Sequence, residues 1–154
     1  MAFLEAAIAS VTGVAETHLA LSVETRARLR ELLPTFRQVG RSKGIDWYLL
    51  AAIAWGESDF VSDAVNPSSG AAGLMQVMPM HFSRFGLSDN GWKDPTLNIE
   101  AGAQILIDSG YNSRSLAKTI ANYGGFVTTD PKPYFDNVIA RGTYLGLADA
   151  LGAL

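Results

Sequence analysis

Residues 45 to 60 read IDWYLLAAIAWGESDF, and the fold turns on how this stretch is read. From Tyr48 to Ala54 no residue carries a charge, and a helix that is apolar nearly all round is a buried one. Asp46 stands in front of it as an N-cap, its carboxylate placed to accept from the free amides of the first turn, so the pattern predicts a buried helix from about Trp47 to Glu57. The stretch then ends on an acid where packing alone would place a neutral residue. At such a helix end Glu57 meets two effects of one sign: partial desolvation disfavours its charged form, and so does the negative end of the helix dipole. Both raise its pKa, and a carboxyl still protonated near neutral pH can serve as a general acid. The plainer alternative is an ordinary solvated C-terminal residue, with Ser58 and Asp59 already in the following turn.

Outward from this core the pattern stays helical. Residues 3 to 19 place Phe3, Leu4, Ala7, Ile8, Val11, Val14 and Ala15 on one stripe. Residues 24 to 39 continue with Leu29, Leu32, Leu33, Phe36 and Val39, with Pro34 expected to kink the helix and Gly40 and Gly44 to turn the chain. SDAVNPSSGAAG (62 to 73) is turn chemistry, and shorter helices are predicted near 79 to 85, 97 to 109, 113 to 123 and 132 to 145. In the second of these helices Asn98 reads as the N-cap, Ile99, Ala103 and Leu106 as the inward stripe, and Glu100 as exposed. Period-two alternation is scarce, so the expectation is an all-α domain.

With 154 residues, 48% of them hydrophobic, the chain has room for one domain with a sizeable core. It has no cysteine, which excludes a disulfide framework, a thiolate metal site and a thiol nucleophile. His18 and His81 lack ligand spacing, so neither a metal nor another cofactor is expected, and no phosphate loop, serine elbow or nucleotide fingerprint appears. A net charge of -3 argues against a nucleic-acid partner. Six of the twelve basic residues, Arg26, Arg28, Arg30, Arg37, Arg41 and Lys43, lie between 26 and 43, as a solvated helical face or as a docking surface for an anionic polymer or a partner protein. No apolar run is long enough to span a bilayer, so stable membrane insertion is not expected. The opening residues lack a basic n-region and place Glu5 inside the apolar part, which does not read as a signal peptide.

Three motifs follow one another: IDWYLLAAIAWGESDF (45 to 60), GAAGLMQVMP (70 to 79) and DPTLNIEAGAQIL (94 to 106). In order and spacing they resemble the soluble lytic transglycosylase (SLT) family, which is similar in fold to goose-type lysozyme, and the likeness runs from about Gly44 to Arg141. It implies a lysozyme-like helical domain at 44 to 154, with residues 1 to 43 as an N-terminal helical extension packed on it. The glutamate of the family's Glu-Ser pair, its catalytic acid and base, matches Glu57. The Gly-Leu-Met-Gln signature matches Gly73, Leu74, Met75 and Gln76, and the Asp-Pro, Asn-Ile, Ala-Gly block matches Asp94, Pro95, Asn98, Ile99, Ala101 and Gly102. The fourth motif departs from the family's Ala-Tyr-Asn-Ala-Gly: here it is TIANYGGF (119 to 126), in which either Tyr123 or Asn122 takes the family tyrosine's place, the helical register favouring Tyr123. Tyr134 matches a tyrosine of the closing helix.

The implied partner is peptidoglycan, and the candidate substrate contacts are Ser69, Met75, Gln76, Asn122, Tyr123 and Tyr134. Gly70 and Gly73 suit either a close approach of backbone to sugar or a positive φ. Gln76 offers a donor and an acceptor, and Met75 and Met78 suit an apolar wall or plain core. Ordinary glycosidases need two carboxylates, yet Asp59 and Asp63 follow Glu57 in a turn and do not face it. The family, as the resemblance implies, uses one: the glutamate protonates the glycosidic oxygen and then takes the proton of the muramoyl C6 hydroxyl, giving a 1,6-anhydro product. Two alternatives stand beside this: a goose-type hydrolase using water, and a wall-binding or virion structural protein without turnover. Small size and the missing signal suit a monomeric bacteriophage lysis or entry enzyme, with other virion proteins as further partners.

Overall fold

A computed structural model describes residues 2–125 and 129–154, without the side chains of residues 2 and 3. The Phe3 side chain of the first predicted stripe and Phe126 of the fourth motif therefore lie outside what is described. The described chain is helical: α1 (Ala2–Thr12), α2 (Val23–Lys43), α3 (Trp47–Ser58), α4 (Phe82–Phe85), α5 (Pro95–Asp108), α6 (Leu116–Tyr123) and α7 (Lys132–Ala150), with single 3-10 turns between some of them.

α3 is the axis around which the others pack. Leu50, Ala51, Ala52, Ile53 and Ala54 are at most 1% exposed, so the helix is covered on every side. Each fully buried leucine or isoleucine contributes roughly 1.5–3 kcal/mol, while the alanines let α7, α2 and α5 approach closely. Asp46 stands at the N-cap position as expected, but its carboxylate caps nothing. Its backbone carbonyl accepts from Leu49 N at 3.0 Å, while burial and the neighbouring Asp46 carboxylate raise the pKa of the Tyr48 phenol.

The N-terminal third differs from its sequence pattern at two glycines, Gly13 and Gly40. The helix expected over 3 to 19 stops at Thr12, because Gly13 takes φ 74. α2 runs on through Pro34 and Gly40 and ends at Gly44, which adopts the left-handed C-cap conformation. Gly40 is therefore no turn. A Cβ there would stand 2.7 Å from the Ile45 carbonyl oxygen, so the missing side chain lets the α2–α3 connection fold back onto the helix.

The run of bases on α2 is mostly engaged. Arg26 donates to the Ala153 carbonyl, Arg28 pairs with Asp59, Arg37 pairs with Asp149 and lies over Trp47, and Lys43 donates to Gln104. Four of the six bases thus tie α2 to its neighbours, which leaves little of the basic docking surface for an anionic polymer or partner protein that the sequence offers beside a solvated face.

Between α3 and α4 the chain makes a tight knot rather than an open loop. Ala72 exchanges backbone hydrogen bonds with Val77, Gly73 N donates to the Ala64 carbonyl, and Leu74, Met75 and Val77 are buried. Asn98 holds the knot from α5. The sequence reading made it an N-cap, but Asp94 caps the helix by accepting from Leu97 N at 2.9 Å. Asn98, one turn further on, is fully buried: its Nδ2 donates to the Ala72 and Trp92 carbonyls, and its Oδ1 accepts from Met75 N at 2.7 Å. Ile99, Ala103 and Leu106 face the core, and Glu100 is exposed.

Gly73 makes the close approach possible. It has φ +81, and a Cβ there would lie 2.0 Å from Asn98 Nδ2 and 2.6 Å from the Trp92 carbonyl oxygen. The close approach is to Asn98. Gly73→Ala combines backbone strain with a clash against a buried hydrogen-bond hub; the expected cost of about 3 kcal/mol lowers the melting temperature by roughly 10 °C. A melting temperature within a degree of wild type in a calorimetric scan would contradict this packing.

Candidate active site

Glu57 occupies the last turn of α3, and its side chain is partly buried. Tyr134, in the first turn of α7, donates its hydroxyl to Glu57 Oε1 at 2.8 Å. Burial raises the pKa of Glu57 above the ordinary 4.5, and the bond from Tyr134, which favours the charged form, pulls it partly back. The carboxyl is thus biased toward holding a proton while keeping a donor ready for its anion. Tyr134 is itself pushed far up, first by burial and then by the Glu57 charge, so it remains a donor at any working pH.

Tyr123, the last residue of α6, completes the group. Burial and the Glu57 charge raise its pKa well above that of a free phenol, and its hydroxyl donates to the Met75 carbonyl at 2.9 Å. The structure therefore brings together one carboxyl and two phenols from three helices. Among the described residues no second carboxylate contributes to the pKa shift of Glu57. Asp59, just past the end of α3, accepts from Thr25 and pairs with Arg28 at 2.7 Å; Asp63 is exposed and borders a hollow beside Arg28 and Glu31. Met1, Phe126, Val127 and Thr128, which lie outside the described residues, carry no carboxylate.

The other candidates separate. Gln76 and Asn122 border the same cleft as Tyr123, a space of about 340 Å³. Both spend amide donors on the protein: Gln76 Nε2 reaches the Ala64 and Gly73 carbonyls, and Asn122 Nδ2 the Ser109 carbonyl. Met75 is not a wall residue. Its side chain is fully buried, within 2.6 Å of where a Cβ on Gly102 would lie, so it belongs to the core and only its peptide group serves the site. Met78 is 41% exposed on the cleft. Ser69 is exposed in the turn after Asn66, where its hydroxyl accepts from Ala71 N at 3.2 Å, and nothing brings it to Glu57.

Two supports escaped the sequence reading. Ser58, 8% exposed, shares its one hydroxyl proton between the Ala54 carbonyl at 3.0 Å and the Leu74 carbonyl at 2.8 Å, so the residue after the acid fastens α3 to the knot. Arg141 reaches across from α7, its guanidinium 4.9 Å over Trp55 and its Nε donating to the His18 carbonyl. A Cβ on Gly56 would stand 2.9 Å from Arg141 Nη1, the far end of a flexible side chain.

A smaller hollow, about 140 Å³, lies between the starts of α3 and α6 and the middle of α7, beside Tyr48 and Tyr111. It is at the far end of α3 from Glu57, roughly 16 Å along the helix, and belongs to no part of the acid's surroundings. Among the described residues no group of three or more His, Asp or Glu is placed to hold a metal ion, and no helix is long and apolar enough to cross a membrane.

The sequence itself matches known proteins. Residues 34–127 match the family model described as transglycosylase SLT domain. The chain is 38% identical over 89 residues to membrane-bound lytic murein transglycosylase F of Pasteurella multocida, a match that covers 54% of this chain and 18% of that protein. It is 38% identical over 106 residues to membrane-bound lytic murein transglycosylase C of Glaesserella parasuis, 63% of this chain and 28% of that one. It is 41% identical over 78 residues to X polypeptide of Escherichia coli K12, 46% of each chain. The match thus spans less than a fifth of the type F relative and less than half of X polypeptide.

The folded protein favours protonated Glu57, so the stability this contributes is complete below about pH 4.5 and is lost as pH rises through the elevated folded pKa. Glu57→Gln, which cannot ionise, is expected to gain stability relative to wild type as pH climbs through that window. In a carbon-detected NMR titration the Glu57 carboxyl should show a midpoint above 4.5, and Tyr134→Phe should move it higher still, since the lost bond favoured the anion. A wild-type midpoint at or below 4.5, or a downward move in Tyr134→Phe, contradicts the assignment.

Proposed function

The chain belongs to the transglycosylase SLT domain family, and on that premise we propose that it is a peptidoglycan lytic transglycosylase cleaving the β-1,4 bond between N-acetylmuramic acid and N-acetylglucosamine. The observation that carries the proposal is the solitary Glu57, with its pKa raised by burial and with Tyr134 as its hydrogen-bond donor. The names of the relatives, membrane-bound lytic murein transglycosylases, support the same activity.

One acid acts twice in this mechanism. Protonated Glu57 gives its proton to the glycosidic oxygen as the bond from the muramoyl C1 breaks, and the N-acetylglucosamine leaves as an alcohol. Positive charge then develops at C1 and the ring oxygen, beside a carboxylate held by Tyr134. The C6 hydroxyl of the same muramoyl residue attacks C1, its proton passes to Glu57, and the 1,6-anhydro bond closes with the enzyme back in its starting state. The tethered hydroxyl replaces an activated water because its effective molarity is of order 10⁵ M or more. No second carboxylate is needed in this mechanism, and among the described residues none contributes to the Glu57 pKa shift.

Tyr123, Asn122, Gln76 and Met78 flank the path of the glycan in this reading, and residues 1 to 43 form a brace for the catalytic part at 44 to 154. The proposal extends to the setting: a monomeric bacteriophage lysis or entry enzyme acting on the host wall, for which recovery of the chain from purified virions would be direct support for the entry form.

The test uses purified sacculi. Wild type should release muropeptides ending in 1,6-anhydromuramic acid, and Glu57→Gln should release them about a thousandfold more slowly, the scale of general acid catalysis. Undiminished release by Glu57→Gln would remove Glu57 from the mechanism, and products carrying the mass of an added water would make the chain a hydrolase.

A further inference from the structure

The cleft that begins at Tyr123 also has charge in its lining: Arg84, His81 and Asp108 border the same space as Gln76 and Asn122. The charge is held in place. Arg84 lies over the Phe85 ring, 4.6 Å from its centroid, and its Nη2 donates to Asp108 Oδ2. The other Asp108 oxygen accepts from Gln104 Nε2 at 3.0 Å, and Gln104 Oε1 accepts in turn from Lys43 at 3.2 Å. Asp108 is therefore occupied on both oxygens by its own protein. Arg84 is not: a guanidinium has five N–H donors, among the described residues Nη2 alone makes a protein hydrogen bond, and the side chain is 52% exposed.

A guanidinium with unspent donors beside a sugar site calls for an anion. The glycan path itself offers hydroxyls and acetamido groups, which are neutral. In intact wall the lactyl carboxyl of the muramoyl residue is an amide, so the negative charge near the scissile bond sits on the peptide stem, at its side-chain and terminal carboxylates. Arginine's planar fork matches a carboxylate with two parallel hydrogen bonds.

We propose that the cleft between Tyr123 and Arg84 is a subsite for the anionic peptide stem, with Arg84 as the residue that reads its carboxylate and His81 beside it. The subsite rests on the peptidoglycan reading above and makes the chain selective for glycan whose stems keep free carboxylates. Half-exposed in water, Arg84 is worth about tenfold in affinity rather than more.

Binding to full-length Glu57→Gln separates this from the chemistry. The probes are N-acetylglucosaminyl-N-acetylmuramoyl-L-alanyl-D-glutamate, the same compound with both peptide carboxylates amidated, and the peptide-free disaccharide with its free lactyl carboxylate, each titrated by calorimetry. The acidic dipeptide form should bind about tenfold tighter than the amidated form, and adding Arg84→Gln should abolish the difference. Arg84→Lys should restore part of it, since an ammonium keeps the charge without the fork. Asp108→Asn should retain it, because it removes only the partner that holds Arg84 from the side. Equal affinities for the acidic and amidated forms would overturn the proposal, as would a preference that survives Arg84→Gln or is lost equally in Asp108→Asn. Matching affinity for the peptide-free disaccharide would reassign Arg84 to the lactyl carboxylate and so also overturn it. None of these arms needs turnover: wild type that releases anhydro products while the preference is missing sinks the subsite alone, and an Arg84-dependent preference without anhydro products sinks the reaction alone.

Discussion

The backbone of Met75 is held on both sides. Asn98 Oδ1 takes its N–H and Tyr123 gives its hydroxyl to its carbonyl, while Ser58 fastens the neighbouring Leu74 carbonyl to the end of α3. A buried segment with this many polar groups is tolerable only if they are paired, because an unsatisfied amide or carbonyl in the interior costs about 1–3 kcal/mol. Here the pairing serves a second purpose. The three side chains come from α5, α6 and α3, so one short knot sets the distance between the helix that carries Glu57 and the helix that carries Tyr123. Removing any one bond loosens the spacing from which the chemistry draws its geometry.

Around that knot, Glu57 is balanced between two opposed demands. An acid must hold its proton until substrate arrives, which burial at the end of α3 favours; the anion left behind must not be so costly that the proton is never released, which the Tyr134 hydroxyl prevents. Two carboxylates would divide these tasks between two environments. With Asp59 engaged by Thr25 and Arg28, the proposed mechanism gives both tasks to one environment and assigns to the phenols what a second acid would otherwise supply. The N-terminal segment takes part through Arg141, which spans from the His18 carbonyl to the face of Trp55, directly behind the acid's own turn.

The readable parts of the sequence were those governed by local physics. An uncharged run ending on a carboxylate announced a buried helix with a desolvated acid, and α3 with Glu57 follows that reading closely. The missed parts were governed by contacts between segments distant in sequence. Asn98 has the composition of a cap and sits one turn inside Pro95, so only the arrival of Met75 N, 23 residues earlier, reveals it as a hub. Met75 looked like groove wall for the same reason: the glycine that swallows its side chain is Gly102, on another helix. Gly40 resembled a turn because pattern alone does not distinguish a glycine that bends the chain from one that admits a neighbour. The bases of α2 resembled a free surface because Asp59, Asp149 and Gln104, their partners, come from elsewhere in the chain.

The central claim is that a single carboxyl serves first as acid and then as base, so that oxygen from the substrate, and none from solvent, closes the cut end. Digestion of sacculi in heavy-oxygen water, followed by mass spectrometry of the released muropeptides, tests it directly. The account predicts muropeptides whose cut muramoyl ends contain no solvent oxygen. Incorporation of one heavy oxygen at that end would contradict it, since water would then have done the work assigned to the C6 hydroxyl.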